Sequence, residues 1–86
     1  MQEPSSDAPV HVHLRRVDAS RNMRRFYSLD IVADLFGGFL LLRRWGRIGA
    51  RGQVAAERYD SAAQAMDALR RRLRRKTRRG YVSVAP

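Results

Sequence analysis

The sequence contains no cysteine, so neither a disulfide nor a thiolate-bound metal can stiffen the fold. Acidic side chains are scarce, eight against eighteen basic ones. Lysine is almost absent: Lys76 is the only one, and every other basic residue is arginine. Tryptophan occurs once, as Trp45. The longest apolar run, Phe39–Leu42, is far too short to cross a bilayer. No glycine-rich phosphate loop and no dinucleotide fingerprint is present. Met1 to Pro9 lacks the basic segment and apolar stretch of an export signal, so a cytoplasmic location is expected.

Catalytic constellations are missing as well. The carboxylates are scattered: Asp30 and Asp34 flank one strand end, and Glu57 and Asp60 flank a turn. His11 and His13 share one face of a strand. With no third histidine and no thiol, they read as solvent-facing polar residues rather than zinc ligands. Ser61 suits a helix cap better than a nucleophile. The expectation is a chain that is not an enzyme and uses no cofactor, metal or small-molecule substrate.

What is there is positive charge. A net charge of +10 on 86 residues attracts polyanions. Guanidinium groups favour planar, bidentate partners such as phosphates and guanine edges. An arginine-rich host genome accounts for arginine over lysine, but not for the imbalance of sign.

The length allows one domain with a modest core. Residues 1–9 read as a disordered tail, and the domain is expected over 10–86. Val10, Val12 and Leu14 alternate with His11, His13 and Arg15, which marks a half-buried strand. A second strand, about Arg25 to Ala33, turns Tyr27, Leu29, Ile31 and Ala33 to one side and Ser28 and Asp30 to the other. Gly37–Gly38 then reads as a tight hairpin turn. A third strand, Phe39 to Gly46, is apolar on both faces at first. A fourth, about Gly52 to Tyr59, alternates weakly through Val54 and Ala56. Ser61 and Gln64 form a capping box for a helix whose apolar stripe is Ala62, Ala65, Met66, Leu69 and Leu73. Gly80 stops the helix near Arg78 or Arg79, and Tyr81 to Val84 can add a short strand. The fold class is therefore α+β: a twisted antiparallel sheet of four to five strands with one helix on one face.

Two constellations carry the functional expectation. The first is Arg43, Arg44, Trp45, Gly46 and Arg47, with Arg51 just beyond. A flat ring between guanidiniums suits a sugar or base with phosphates beside it. The same pattern also suits a core tryptophan with a solvated arginine rim. The second is Arg70–Arg79, where every residue except Leu73 and Thr77 is basic. Like charges spaced i,i+4, such as Arg71 and Arg75, cost about 0.2–0.5 kcal/mol per pair, and an anion relieves that cost. Arg71, Arg72, Arg75, Lys76 and Arg79 are the expected phosphate contacts, against the alternative of a solvated face.

The string Leu42-Arg43-Arg44-Trp45-Gly46-Arg47-Ile48-Gly49, followed by Gly52-Gln53, resembles the signature of the WGR domain. Phe26-Tyr27-Ser28-Leu29 resembles that family's preceding strand. Asp60-Ser61 with Ala65 resembles the start of its helix, and Lys76-Thr77 with Tyr81 the close of the domain. The likeness runs over about residues 10–84. It implies a twisted antiparallel sheet with one helix. It also implies contact with DNA near strand breaks, as in DNA-dependent poly(ADP-ribose) polymerases. By that resemblance Trp45 packs on a terminal sugar, Arg47 lies at the contact with DNA and neighbouring domains, and Tyr81 stands near a 5′ end. Bacteria also carry short single-domain members, and this chain resembles them. With no catalytic domain following, no poly(ADP-ribose) synthesis is expected. The partner expected is nucleic acid, DNA ahead of RNA. A protein partner docked on an edge strand or over Trp45 comes second. An anionic membrane comes last, because the sheet should occupy the helix's apolar face.

Overall fold

The structure, a computed structural model, describes residues 10–84. The expected tail over 1–9 lies outside the described residues. Five strands and one helix follow in the order β1 (Val10–Asp18), β2 (Met23–Ala33), β3 (Phe39–Arg47), β4 (Gln53–Tyr59), α1 (Ala62–Arg78) and β5 (Val82–Ser83). A single 3-10 turn, Ala19–Arg21, joins β1 to β2, with Asn22 in the left-handed region behind it. All strand pairs are antiparallel, and the sheet order is β4-β3-β2-β1-β5. The class is the α+β architecture expected.

One face of the sheet receives the helix. Leu14, Tyr27, Leu29, Ile31 and Leu41 point to it and pack against Ala65, Ala68 and Leu69 of α1, with Tyr81 closing the end. Small side chains at Ala65 and Ala68 let the helix lie close to the sheet. Met66, Leu73 and Trp45 pack at the margin of this core. Leu14, Leu29 and Leu41 are fully buried, so truncating any of them to Ala costs about 2–5 kcal/mol.

The helix is capped at both ends. Ser61 Oγ accepts from Gln64 N, and Gln64 Oε1 accepts in return from Asp60 N. At the other end Gly80 N donates to Thr77 O and Tyr81 N donates to Lys76 O. This paired arrangement is a Schellman motif, and it needs the left-handed conformation that Gly80 adopts with φ +95°. It turns Tyr81 back onto the sheet, where β5 pairs with β1.

Three local expectations are corrected. The β2–β3 connection is a five-residue loop spanning 34–38 rather than a tight turn, closed by Asp34 N donating to Gly38 O. In β4 the side facing the helix is Ala55, Glu57 and Tyr59, while Val54 is 67% exposed. The register Leu41↔Glu57 fixes that parity, and a carboxylate is tolerated beneath the helix because two arginines meet it. His13, expected to face solvent, is half-buried on the face away from the helix, where its Nδ1 and the buried Ser28 Oγ are 2.7 Å apart in a hydrogen bond and its ring stacks on the buried Phe26.

Candidate functional site

The Trp45–Gly46–Arg47 triplet is strand, not loop. Alternation sends Trp45 and Arg47 to the helix side and Gly46 to the opposite face. The chain that follows folds back over Gly46. A Cβ there would lie 2.8 Å from Gly52 Cα. Gly52 in turn sits against Phe26 and the Trp45 carbonyl, with φ +79°. The glycine between Trp45 and Arg47 thus accommodates this crossing loop.

On the helix side, Trp45 stands opposite Tyr27 in the β2–β3 register, with ring centroids 6.5 Å apart. Tyr27 in turn meets Tyr81 edge-on at 6.3 Å. Lys76 reaches over both tyrosines, its Nζ 4.5 Å from the Tyr27 centroid and 5.3 Å from that of Tyr81. Burial of the ammonium, then the guanidiniums of Arg79, Arg25, Arg75 and Arg43, push the Lys76 pKa below the ordinary lysine value. The ring faces act the other way, attracting the cation. Trp45 is half-buried: its ring packs at the edge of the core, and the Arg43 guanidinium stacks 5.3 Å from its centroid.

Two concavities open on either side of Lys76 and Trp45. The larger, about 400 Å³, is lined by Arg21, Asn22, Met23, Arg25, Trp45, Gly46, Arg47, Lys76 and Tyr81. The smaller, about 190 Å³, is lined by Tyr27, Arg43, Trp45, Arg72, Arg75, Lys76 and Arg79. Arg43, Trp45, Gly46, Arg47, Arg72, Arg75, Lys76, Arg79 and Tyr81, all expected from sequence, therefore meet at one place. Three others do not. Arg44 points to the far face of the sheet, over the Phe26 ring. Arg51 is exposed in the loop beyond β3. Arg71 faces another hollow and pairs with Asp67 at 3.2 Å. Tyr81 is 7% exposed, a buried ring beneath Lys76 rather than an open stacking surface.

Not all of these cations are free. Glu57 Oε1 accepts from Arg72 Nη2 at 2.8 Å and lies 3.2 Å from Arg43 Nε. The second contact lacks hydrogen-bond alignment, leaving Arg43 Nε buried and unbonded. Elsewhere the balance is one-sided. The β1–β2–β3 register places Arg16, Arg25 and Arg47 in one cross-strand row on the helix side. Among the described residues no carboxylate forms an ion pair with any of them, nor with Arg75, Lys76 or Arg79. Among the described residues the Arg47 guanidinium hydrogen-bonds Asn22 alone, through its carbonyl and its side-chain oxygen. Sequence reasoning missed Arg16, Arg25 and Tyr27 as members of this surface. The signal was available, because Arg25 and Tyr27 share the parity of Leu29 in an alternating strand.

Comparison with known proteins follows the same outline. The family model described as the WGR domain matches residues 10–86. A Sinorhizobium fredii protein described as uncharacterized protein y4dW is 41% identical over 73 residues, covering 85% of this chain and 36% of that protein. A crystal structure of a Bacteroides fragilis protein aligns with a TM-score of 0.71 at 24% identity, covering 88% of this chain and 20% of that one. The chain thus spans about a third of the curated relative and a fifth of the solved chain.

Proposed function

This chain belongs to the WGR domain family, and from that premise we propose that it binds nucleic acid, DNA ahead of RNA, through the basic hollow beside Trp45. The family is known for nucleic-acid binding in poly(ADP-ribose) polymerases, and the chemistry of this hollow suits a phosphate backbone. The observation that carries the reading is the row Arg16–Arg25–Arg47. Like charges directly opposite one another in a sheet are destabilising, and among the described residues no carboxylate pairs with these three. A phosphate chain laid along the row supplies the missing charge. Arg75, Lys76 and Arg79 extend the positive surface along the helix end. Trp45 offers an indole edge for a sugar or a terminal base.

Arg43 and Arg72 already share Glu57, and Arg71 holds Asp67. Their contribution is therefore smaller than that of Arg25, Arg47, Arg75 and Arg79. With roughly four to eight phosphates neutralised on duplex DNA, log affinity falls against log salt with a slope of about −0.9 per phosphate. The test is titration of labelled linear, nicked and closed-circular DNA at two salt concentrations. The reading requires salt-sensitive binding to at least one form. Absence of binding to all three at low salt overturns it. Equal affinity for closed circles and broken ends removes only recognition of ends.

A second reading, docking of a protein partner, is favoured by one feature. Leu35 and Phe36, at the tip of the β2–β3 loop, are 96% and 91% exposed. Arg58 holds that tip in place through Asp34 Oδ2 and the Gly37 carbonyl. The tip lies at the opposite end of the hairpin from Trp45, so it and the basic hollow do not compete. Membrane attachment through α1 ranks last, since Ala65, Ala68 and Leu69 are buried against the sheet. No helix of the described residues is long and apolar enough to cross a membrane.

A further inference from the structure

The sequence carries three Arg-Arg pairs within strands, Arg15-Arg16, Arg24-Arg25 and Arg43-Arg44. Strand alternation splits each of them. Arg16, Arg25 and Arg43 turn to the helix side, and Arg15, Arg24 and Arg44 to the opposite face. On that opposite face Arg15 stands across from Phe26, and the Arg44 guanidinium lies 5.6 Å from the centre of the Phe26 ring. With His13, Ile48, Gly49 and Ala50 they frame an open cup of about 160 Å³. The cup is braced from below: His13 Nδ1 and the buried Ser28 Oγ lie 2.7 Å apart in a hydrogen bond, and the His13 ring stacks on Phe26. Asp30, the carboxylate nearest this cup in the β2 register, is engaged by His11. Among the described residues no carboxylate pairs with Arg15, Arg24 or Arg44.

We propose that this outer face binds a second nucleic-acid segment, so that one chain holds two duplexes together, one on each side of its sheet. The proposal rests on the reading that the Trp45 face binds nucleic acid. Both faces show guanidiniums that no carboxylate among the described residues pairs with, which is the same unmet demand for anions. One duplex also does not serve both. The molecule is only 20 Å thick along its shortest axis, and duplex DNA resists bending over lengths of about 50 nm. A duplex seated on one side does not turn round the sheet to reach the other. A second duplex does.

The test is a bridging assay on the full chain. One duplex is fixed to beads, a second carries a fluorophore, and capture of the second is measured against protein concentration. Single-duplex affinity is measured in parallel. The expected result is protein-dependent capture that falls again at excess protein, when each duplex is coated separately. The triple variant R15Q/R24Q/R44Q should lose about tenfold of its capture while single-duplex affinity falls less than about threefold. The charge-matched variant R25Q/R47Q/R75Q should instead lose single-duplex affinity. If the Phe26 contact makes Arg44→Gln unfold, as thermal melting would reveal, R15Q/R24Q is used in its place. Undiminished capture by the outer-face variant overturns the proposal, as does identical behaviour of the two charge-matched variants, which would make net charge the sole cause. Blocking of the outer face by polyglutamate but not by free DNA assigns the face to an acidic protein and also overturns it. Single-duplex binding without capture removes this inference alone. Absence of any binding removes the underlying reading.

Discussion

Arg25 on β2 stands directly across from Arg47 on β3, and both line the same hollow. Two like charges in register work against the sheet that holds them by about 0.2–1 kcal/mol. Arg25→Gln should therefore leave the fold as stable or slightly more so, while weakening DNA binding and lowering the salt slope by about one contact. Thermal melts and titrations at two salt concentrations check the two halves. A variant that loses stability and keeps its affinity contradicts this account of the row.

Trp45 serves the fold and the surface at once. Its ring packs on Tyr27 and carries the Arg43 guanidinium 5.3 Å from its centroid. Trp45→Ala should cost about 2 kcal/mol of stability, below the range for a fully buried tryptophan because the ring is half-buried. Affinity for DNA ends should fall by about 1–3 kcal/mol with little change in salt slope. Trp45→Phe should recover most of the stability and only part of the affinity. Denaturant melts beside end-binding titrations separate the two roles.

Gly52 is the most constrained position near the site. Its φ of +79° disfavours side chains, and a Cβ would meet the Trp45 carbonyl oxygen and stand 2.9 Å from Phe26 Cζ. Gly52→Ala should destabilise by about 2 kcal/mol or more, since backbone strain and steric overlap act together. Gly49→Ala, where a Cβ meets nothing within 4 Å but φ is +94°, bears only the conformational part and should cost about 1 kcal/mol. Urea unfolding of the pair gives the comparison.

Acid should weaken the fold through His13. Burial, then the charges of Arg15, His11 and Arg44, lower its pKa from the ordinary 6.5, with Asp30 opposing weakly. The folded chain holds this proton less tightly than the unfolded chain does. Below about pH 6.5 the unfolded state binds more protons, and stability declines as pH drops from there toward the lowered value. His13→Asn should flatten that decline. Melting temperatures of both proteins between about pH 8 and 5 measure it.

The strands and the helix were legible because their signals are local and redundant. Val10, Val12 and Leu14 alternate, and Ser61, Gln64 and Gly80 mark both helix ends with capping chemistry. The parity of β4 was not legible, because Val54 and Ala56 look like its apolar side. Only the register with β3 shows that Glu57 faces the helix and meets Arg43 and Arg72. The Trp45–Arg47 surface was found from its residue types. Arg25 and Tyr27 were not, since their membership depends on which residues of β2 stand across from Trp45 and Arg47. Arg44 was grouped with its sequence neighbours, whereas one step along a strand reverses the side on which a residue acts.

The turn that returns Tyr81 to the sheet bears on the thermodynamics of recognition. Because Tyr81 N and Gly80 N close the last helical carbonyls, the arginine-bearing turn is already wound before any ligand arrives. Little ordering entropy is left for association to overcome. Calorimetry of the complex should accordingly register a small heat-capacity change, without the signature of a segment that folds upon docking.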